Sequence, residues 1–229
     1  MKPWDLLDQV ETRAGPLALH QRGPRDFLIT ISGRVLMNST AQRSEQALGE
    51  LACARLASRA GARVLLGGLG MGITLRSALD VLPQDVRVDV FEIHPAVIEW
   101  CRGPLAPLTN RCVDEPRVRV SCGNVADEIA SAGSGGGGRR FDAILLDLYE
   151  GPLEKQRAHT DPFFGPAALK RTRSALARDG CFATWAEDPD PAFEDRLRRA
   201  GFQVNKSRPG RGGRRHVVYL ATPAQRLKA

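Results

Sequence analysis

No apolar run of roughly 18 or more residues occurs in the chain, so no segment is long enough to cross a membrane as a helix. The opening segment MKPWDLLDQVETRAG holds acidic residues and lacks a basic stretch followed by an apolar one. Nothing in it implies export, and the cytoplasm is the expected location. The cysteines Cys53, Cys101, Cys112, Cys122 and Cys181 make no C-x-x-C pair and no His/Cys cluster at zinc spacing. An odd count in a reducing compartment favours free thiols, so neither a structural metal nor a disulfide is expected. Charge of one sign is not concentrated: 33 Lys and Arg and 26 Asp and Glu are spread along the chain, for a net charge of +7. Nucleic acid and membrane are therefore not the expected partners. The one dense basic run, Arg208 to His216, reads first as a solvated hairpin loop, with a phosphate clamp as the alternative.

What is present is an alternation of strand and helix patterns in 229 residues, a length that suits one α/β domain with a short addition. Leu17 to His20, Phe27 to Ile31 and Arg34 to Met37 read as short strands joined by turns, a small N-terminal β-meander over residues 1–40. A helix is predicted from Ser44 to about Ala60, where Gly61 ends the run. Residues 41–229 then hold repeated βα units, with strands predicted at Arg63 to Gly67, Val86 to Ile93, Val118 to Ser121, Phe141 to Asp147 and Cys181 to Trp185. Ser131 to Gly138 reads as a flexible loop. Near-continuous apolar strands imply a doubly wound, mostly parallel sheet, with ligand at the carboxyl ends of its strands. Gln203 to Lys206 and His216 to Ala221 add an antiparallel hairpin at one edge, the ending of class I methyltransferase (Rossmann-like) sheets.

The strand ends carry the candidate site. Gly68, Gly70 and Gly72, with Met71 among them, lie between the first βα strand and its helix, where a backbone without side chains can approach a ligand. Glu92 ends the next strand about twenty residues on, and a carboxylate there can accept both ribose hydroxyls. Ile93 follows it. Asn124, before Val125 and a short helix, can bond an adenine edge through its side-chain amide oxygen. Asp147 ends the fourth strand beside the reactive centre. Glycines, Glu92, Asn124 and Asp147 at successive strand ends form the layout of a sulfonium nucleoside site. Tyr149, Glu150 and His159 stand close enough in the chain to serve the acceptor, although loop packing explains Tyr149 and His159 as well. Gln42 and Glu45 can face the mouth of the site, but a solvated helix start explains Glu45 equally. Trp185, Glu187, Trp100 and His94 read first as packing and capping residues.

The blocks GGLGMGITLR (67–76), VFEIHPAVIE (90–99), DEPRVRV (114–120) and FDAILLD (141–147) resemble successive core blocks of the spermidine synthase family, over about residues 30 to 190. The resemblance implies a class I S-adenosylmethionine fold behind a small β-domain, a homodimer, and S-adenosylmethionine or its decarboxylated form as the bound cofactor. Three positions depart from the family. Met71 stands where an acid binds the primary amine of the decarboxylated cofactor, Leu48-Gly49 replaces a Tyr-His pair of the polyamine site, and Glu150 replaces a catalytic Asp in a shortened loop. Asn124 stands where the family usually has Asp. The expected activity is methyl transfer to a small-molecule nucleophile. The alternatives are aminopropyl transfer to a polyamine or diamine, and an inactive nucleoside-binding module.

Overall fold

The computed structural model describes residues 2–134, 140–148, 160–209 and 216–224. Four antiparallel strands open the chain in the spatial order of the sequence: β1 (Asp5–Thr12), β2 (Gly15–Gln21), β3 (Phe27–Ile31) and β4 (Arg34–Asn38). β2, β3 and β4 are the strands that alternation predicts, whereas β1 is additional. Its residues are mostly exposed, so it carries no buried face to show in its composition. It is held by pairing with β2 and by the Trp100 indole, whose Nε1 donates to Asp8 Oδ2 at 2.6 Å. Between β3 and β4, Ser32 and Gly33 both take positive φ, the tight turn that suits strand twist.

Helix α1 (Arg43–Cys53) is shorter than the predicted run to Ala60, because the chain tightens into a 3-10 turn at Ala54–Leu56 that buries Leu56. The second sheet has seven strands in the order β10-β11-β9-β8-β5-β6-β7: β5 (Arg63–Gly67), β6 (Arg87–Glu92), β7 (Val118–Cys122), β8 (Phe141–Leu146), β9 (Leu176–Ala186), β10 (Phe202–Ser207) and β11 (Val217–Pro223). β7, β6, β5, β8 and β9 run parallel, while β11 lies antiparallel between β9 and β10. The expected doubly wound sheet with a terminal hairpin is therefore present. β9 begins five residues before the predicted start at Cys181, at Leu176. The strand order reverses where β5 meets β8, which opens a crevice at the carboxyl ends.

Helices α2 (Ile73–Val81), α3 (Pro95–Arg102), α4 (Val125–Gly133), α5 (Pro166–Ala175) and α6 (Pro191–Arg199) complete the layers. The apolar residues of α1, α2 and α3 form one core on one face of the sheet, and those of α4, α5 and α6 form another on the opposite face. Leu17, Leu19, Phe27, Ile29 and Ile31 of the N-terminal sheet belong to the first core. That sheet is thus fastened to the α/β body by buried area. Ser131 to Gly133 of the predicted flexible loop end α4, and residues 135–139 lie outside the described residues. Residues 210–215 of the basic run lie outside them too. All five cysteines are free thiols. Among the described residues, no helix is long and apolar enough to cross a membrane.

Candidate active site

Backbone conformation builds the glycine loop. Gly68 has φ +87°, and a Cβ there would stand 2.1 Å from the Asp147 carbonyl oxygen, so only glycine lets the β5 and β8 ends approach. Gly68 N–H donates to Phe91 O at 2.9 Å and Asp147 N–H to Gly67 O at 2.8 Å, which stitches three strand ends together. Gly70, at φ +53°, leaves room for Met37 of β4, whose Cε would lie 3.0 Å from an added Cβ. Gly72 caps α2 and packs toward Cys112 and Thr109. It lines neither of the two cavities described below, so its part is to shape the loop.

Glu92 is buried at 7% exposure, and both its oxygens are fixed by main-chain donors. Leu69 N–H donates to Oε2 at 2.9 Å, and His94 N–H donates to Oε1 at 2.9 Å. Each oxygen keeps a second lone-pair direction, so the oriented carboxylate can still accept two hydroxyls. Ile93, next in the chain, is 62% exposed, an apolar side chain left open to a flat ligand. Asn124 is the N-cap of α4: its Oδ1 accepts from Ala126 N–H at 3.0 Å. The oxygen expected to face an adenine edge is thus already engaged in the cap. Val125 is buried and packs where a side chain at Gly67 would stand.

These groups open on a chamber of about 630 Å³. Its floor is Gly68, Glu92, Asn124 and Asp147, and its roof is the inner face of the N-terminal sheet, through Leu17, Ile29, Ile31 and Leu36. Phe91, Leu148 and Phe163 add apolar wall. Phe163 is placed by Asp161, whose Oδ1 accepts the Phe163 and Phe164 amides at 2.8 and 2.7 Å. The sequence reading misses Phe163, because it lies in an irregular segment with no periodic signal. Met71, by contrast, is absent from the chamber wall and is buried at 3% exposure beside a smaller cavity.

Asp147 is held on both oxygens. Thr74 Oγ1 donates to Oδ2 at 2.6 Å and Trp185 Nε1 to Oδ1 at 2.8 Å. Burial, with Glu45 and Glu92 nearby, pushes its carboxyl up to about 6 against the pull of those two hydrogen bonds. Trp185 therefore does more than pack: it orients Asp147 while its ring stacks on His216 at 4.9 Å. Glu45 also belongs to the site, because it lines the smaller cavity with Asp147. Tyr149, Glu150 and His159 lie outside the described residues. Among the described residues no group of three or more His, Cys, Asp or Glu gathers at metal-binding spacing.

Spermidine synthase from Thermotoga maritima superposes with a TM-score of 0.70 at 19% identity, over 95% of this chain and 72% of that one. The chain has the spermidine synthase fold. A spermidine synthase solved in complex with the transition state analogue AdoDATO shares that fold at a TM-score of 0.67, 19% identity and the same coverage. Human methyltransferase-like protein 13, solved with SAH, gives a TM-score of 0.60 at 22% identity, over 81% of this chain and 84% of that one. In sequence, the chain is 31% identical to the polyamine aminopropyltransferase of Corynebacterium efficiens over 136 residues. That match covers 56% of this chain and spans only 25% of the relative's length. No protein-family model matches.

Proposed function

We propose that the protein transfers a methyl group from S-adenosylmethionine to a small-molecule nucleophile. Glu92 carries the reading: a buried, main-chain-oriented carboxylate at a strand end, facing a chamber large enough for a nucleoside. In this arrangement the ribose hydroxyls donate to Glu92 and the base covers Ile93. The sulfur then lies toward Gly70 and Asp147. The similar folds solved with AdoDATO and SAH support an adenosyl ligand. Methyl transfer needs chiefly in-line placement of the nucleophile, within about 3 to 3.5 Å, and little acid-base help. Asp147, Tyr149 and Glu150 are the acceptor-side groups of this proposal. The neutral Met71 favours the complete cofactor over its decarboxylated form.

One observation favours a second reading, aminopropyl transfer from decarboxylated S-adenosylmethionine. The smaller cavity presents Glu45 and Asp147 and, among its described lining residues, no cationic side chain to receive a donor carboxylate. Calorimetry with S-adenosylmethionine, its decarboxylated form and methylthioadenosine separates the readings. Tighter binding of S-adenosylmethionine supports methyl transfer, and tighter binding of the decarboxylated form assigns aminopropyl transfer. Failure of all three to bind overturns both.

A further inference from the structure

The nucleoside reading uses the floor of the large chamber and leaves its roof without a ligand group. That roof is apolar at Leu17, Ile29, Ile31 and Leu36, and Arg34 at the head of β4 is the one Lys or Arg among the described residues that line the chamber. A bulge aims this strand. Ile29 pairs with Met37 and Thr30 with Val35, which leaves Leu36 as an extra residue in β4. Strict alternation would send Leu36 and Met37 to opposite faces, whereas with the bulge both line the chamber together with Arg34, and Val35 stands 53% exposed. The turn ahead of Arg34 is fixed at two points: Ser32 N–H donates to Pro16 O at 2.8 Å, and the Ser32 hydroxyl donates to Ala14 O at 2.5 Å. Met37, three residues on, packs over Gly70, where the proposed sulfur lies. Three strand steps separate Arg34 from Met37 by roughly 10 Å.

Charge is unevenly distributed in the chamber. Its acids belong to the floor and wall, and each is already held: Glu92 by two amides, Asp147 by Thr74 and Trp185, and Asp161 by the Phe163 and Phe164 amides. The described roof residues include no acid. Arg34 has no ion pair or side-chain hydrogen bond among the described residues, so its planar fork of donors is open to one anionic group. An apolar roof with a cation at its rim matches a molecule with an apolar body and an anionic end, and it offers a diamine no counter-charge.

Resting on the nucleoside reading above, we propose that the acceptor is an apolar carboxylate: its body lies under the N-terminal sheet, its carboxylate pairs with Arg34, and its nucleophilic end reaches the centre beside Gly70 and Asp147. Three probes that share one body and differ in charge test it: 3-phenylpropionate, 3-phenylpropanamide and 3-phenylpropylamine. They are titrated by calorimetry into protein saturated with S-adenosylhomocysteine, which fills the nucleoside site. Wild type should bind the carboxylate about three- to tenfold more tightly than the amide, with the amine weakest, because Arg34 is exposed and partly screened. Arg34→Gln should bring carboxylate and amide within about twofold of each other and leave S-adenosylhomocysteine unchanged, while Arg34→Glu should put the amine first. A carboxylate preference that survives Arg34→Gln overturns the proposal. So does a loss of S-adenosylhomocysteine affinity that methylthioadenosine does not share, since the guanidinium would then serve the nucleoside's own carboxylate. Wild-type protein that binds S-adenosylhomocysteine but does not prefer the carboxylate probe overturns this inference alone. Protein that binds neither S-adenosylhomocysteine nor methylthioadenosine overturns the nucleoside reading as well.

Discussion

Replacing Glu92 by Ala removes two things at once, and the structure separates their sizes. The carboxylate satisfies the Leu69 and His94 amides, of which the first is buried. Leaving a buried donor without an acceptor costs about 1–3 kcal/mol. The part-buried His94 amide costs less to leave unpaired, so the expected loss of stability is about 2–4 kcal/mol in all. The ribose bonds are the second loss. Two hydroxyls donating to a charged acceptor contribute about 1.5–3 kcal/mol each, so affinity for S-adenosylmethionine should fall by roughly a hundredfold or more. Glu92→Gln is the informative partner: its amide oxygen still accepts one main-chain N–H, while its NH₂ opposes the other donor. Its stability should lie between wild type and Glu92→Ala, with binding nearly as poor as in Glu92→Ala. Urea denaturation gives the first quantity and calorimetry on the still-folded variants gives the second. A folded Glu92→Ala variant with wild-type nucleoside affinity would refute the placement of the ribose.

Asp147 predicts a pH dependence of stability. Its folded carboxyl, at about 6, lies above the ordinary 3.8, so the folded state binds the extra proton between those values. Stability from this group is therefore full below about pH 4 and is lost as pH rises through 6, by at most about 3 kcal/mol and less where water reaches the carboxylate. Relative to Asp147→Asn, wild type should lose stability across that window in urea titrations; a difference that does not vary with pH contradicts the assigned environment. Gly68→Ala should destabilise by roughly 3 kcal/mol or more, because a side chain there meets the Asp147 carbonyl and the positive φ is itself strained. Thermal unfolding unchanged in that variant would mean the strand ends are not packed as described.

Much of the α/β body is legible in the sequence because β5 and β8 are largely apolar runs and a glycine cluster directly follows β5. The start of α4 is legible too, since a short helix is expected directly after Asn124, but that residue reads as an adenine contact and its capping of the helix appears only in the structure. β1 is not legible: an edge strand with exposed faces has no alternation to display. The site divides along the same line. Glu92 and Asp147 announce themselves by ending strands, whereas Glu45 and Trp185 join the site through tertiary meeting of α1 and β9 with the end of β8. No local pattern reports such a meeting. A glutamate in a first helical turn looks like any dipole-stabilising acid, and a tryptophan near a strand end looks like core.

The place of β11 in the sheet has a consequence for the order of assembly. β10 is made first, yet it reaches the sheet only through β11, which occupies the inner position and contributes the fully buried Val217, Val218 and Tyr219. A nascent chain that has emerged as far as β10 therefore holds a strand without a partner and leaves the β9 edge open. The His216 ring that covers Trp185 arrives with that same late strand. Asp147, tens of residues upstream, is left with an unsupported indole donor until it does. The reactive centre is in this sense finished from the far end of the sheet, and a ligand that needs Asp147 correctly oriented should bind only after the hairpin has closed.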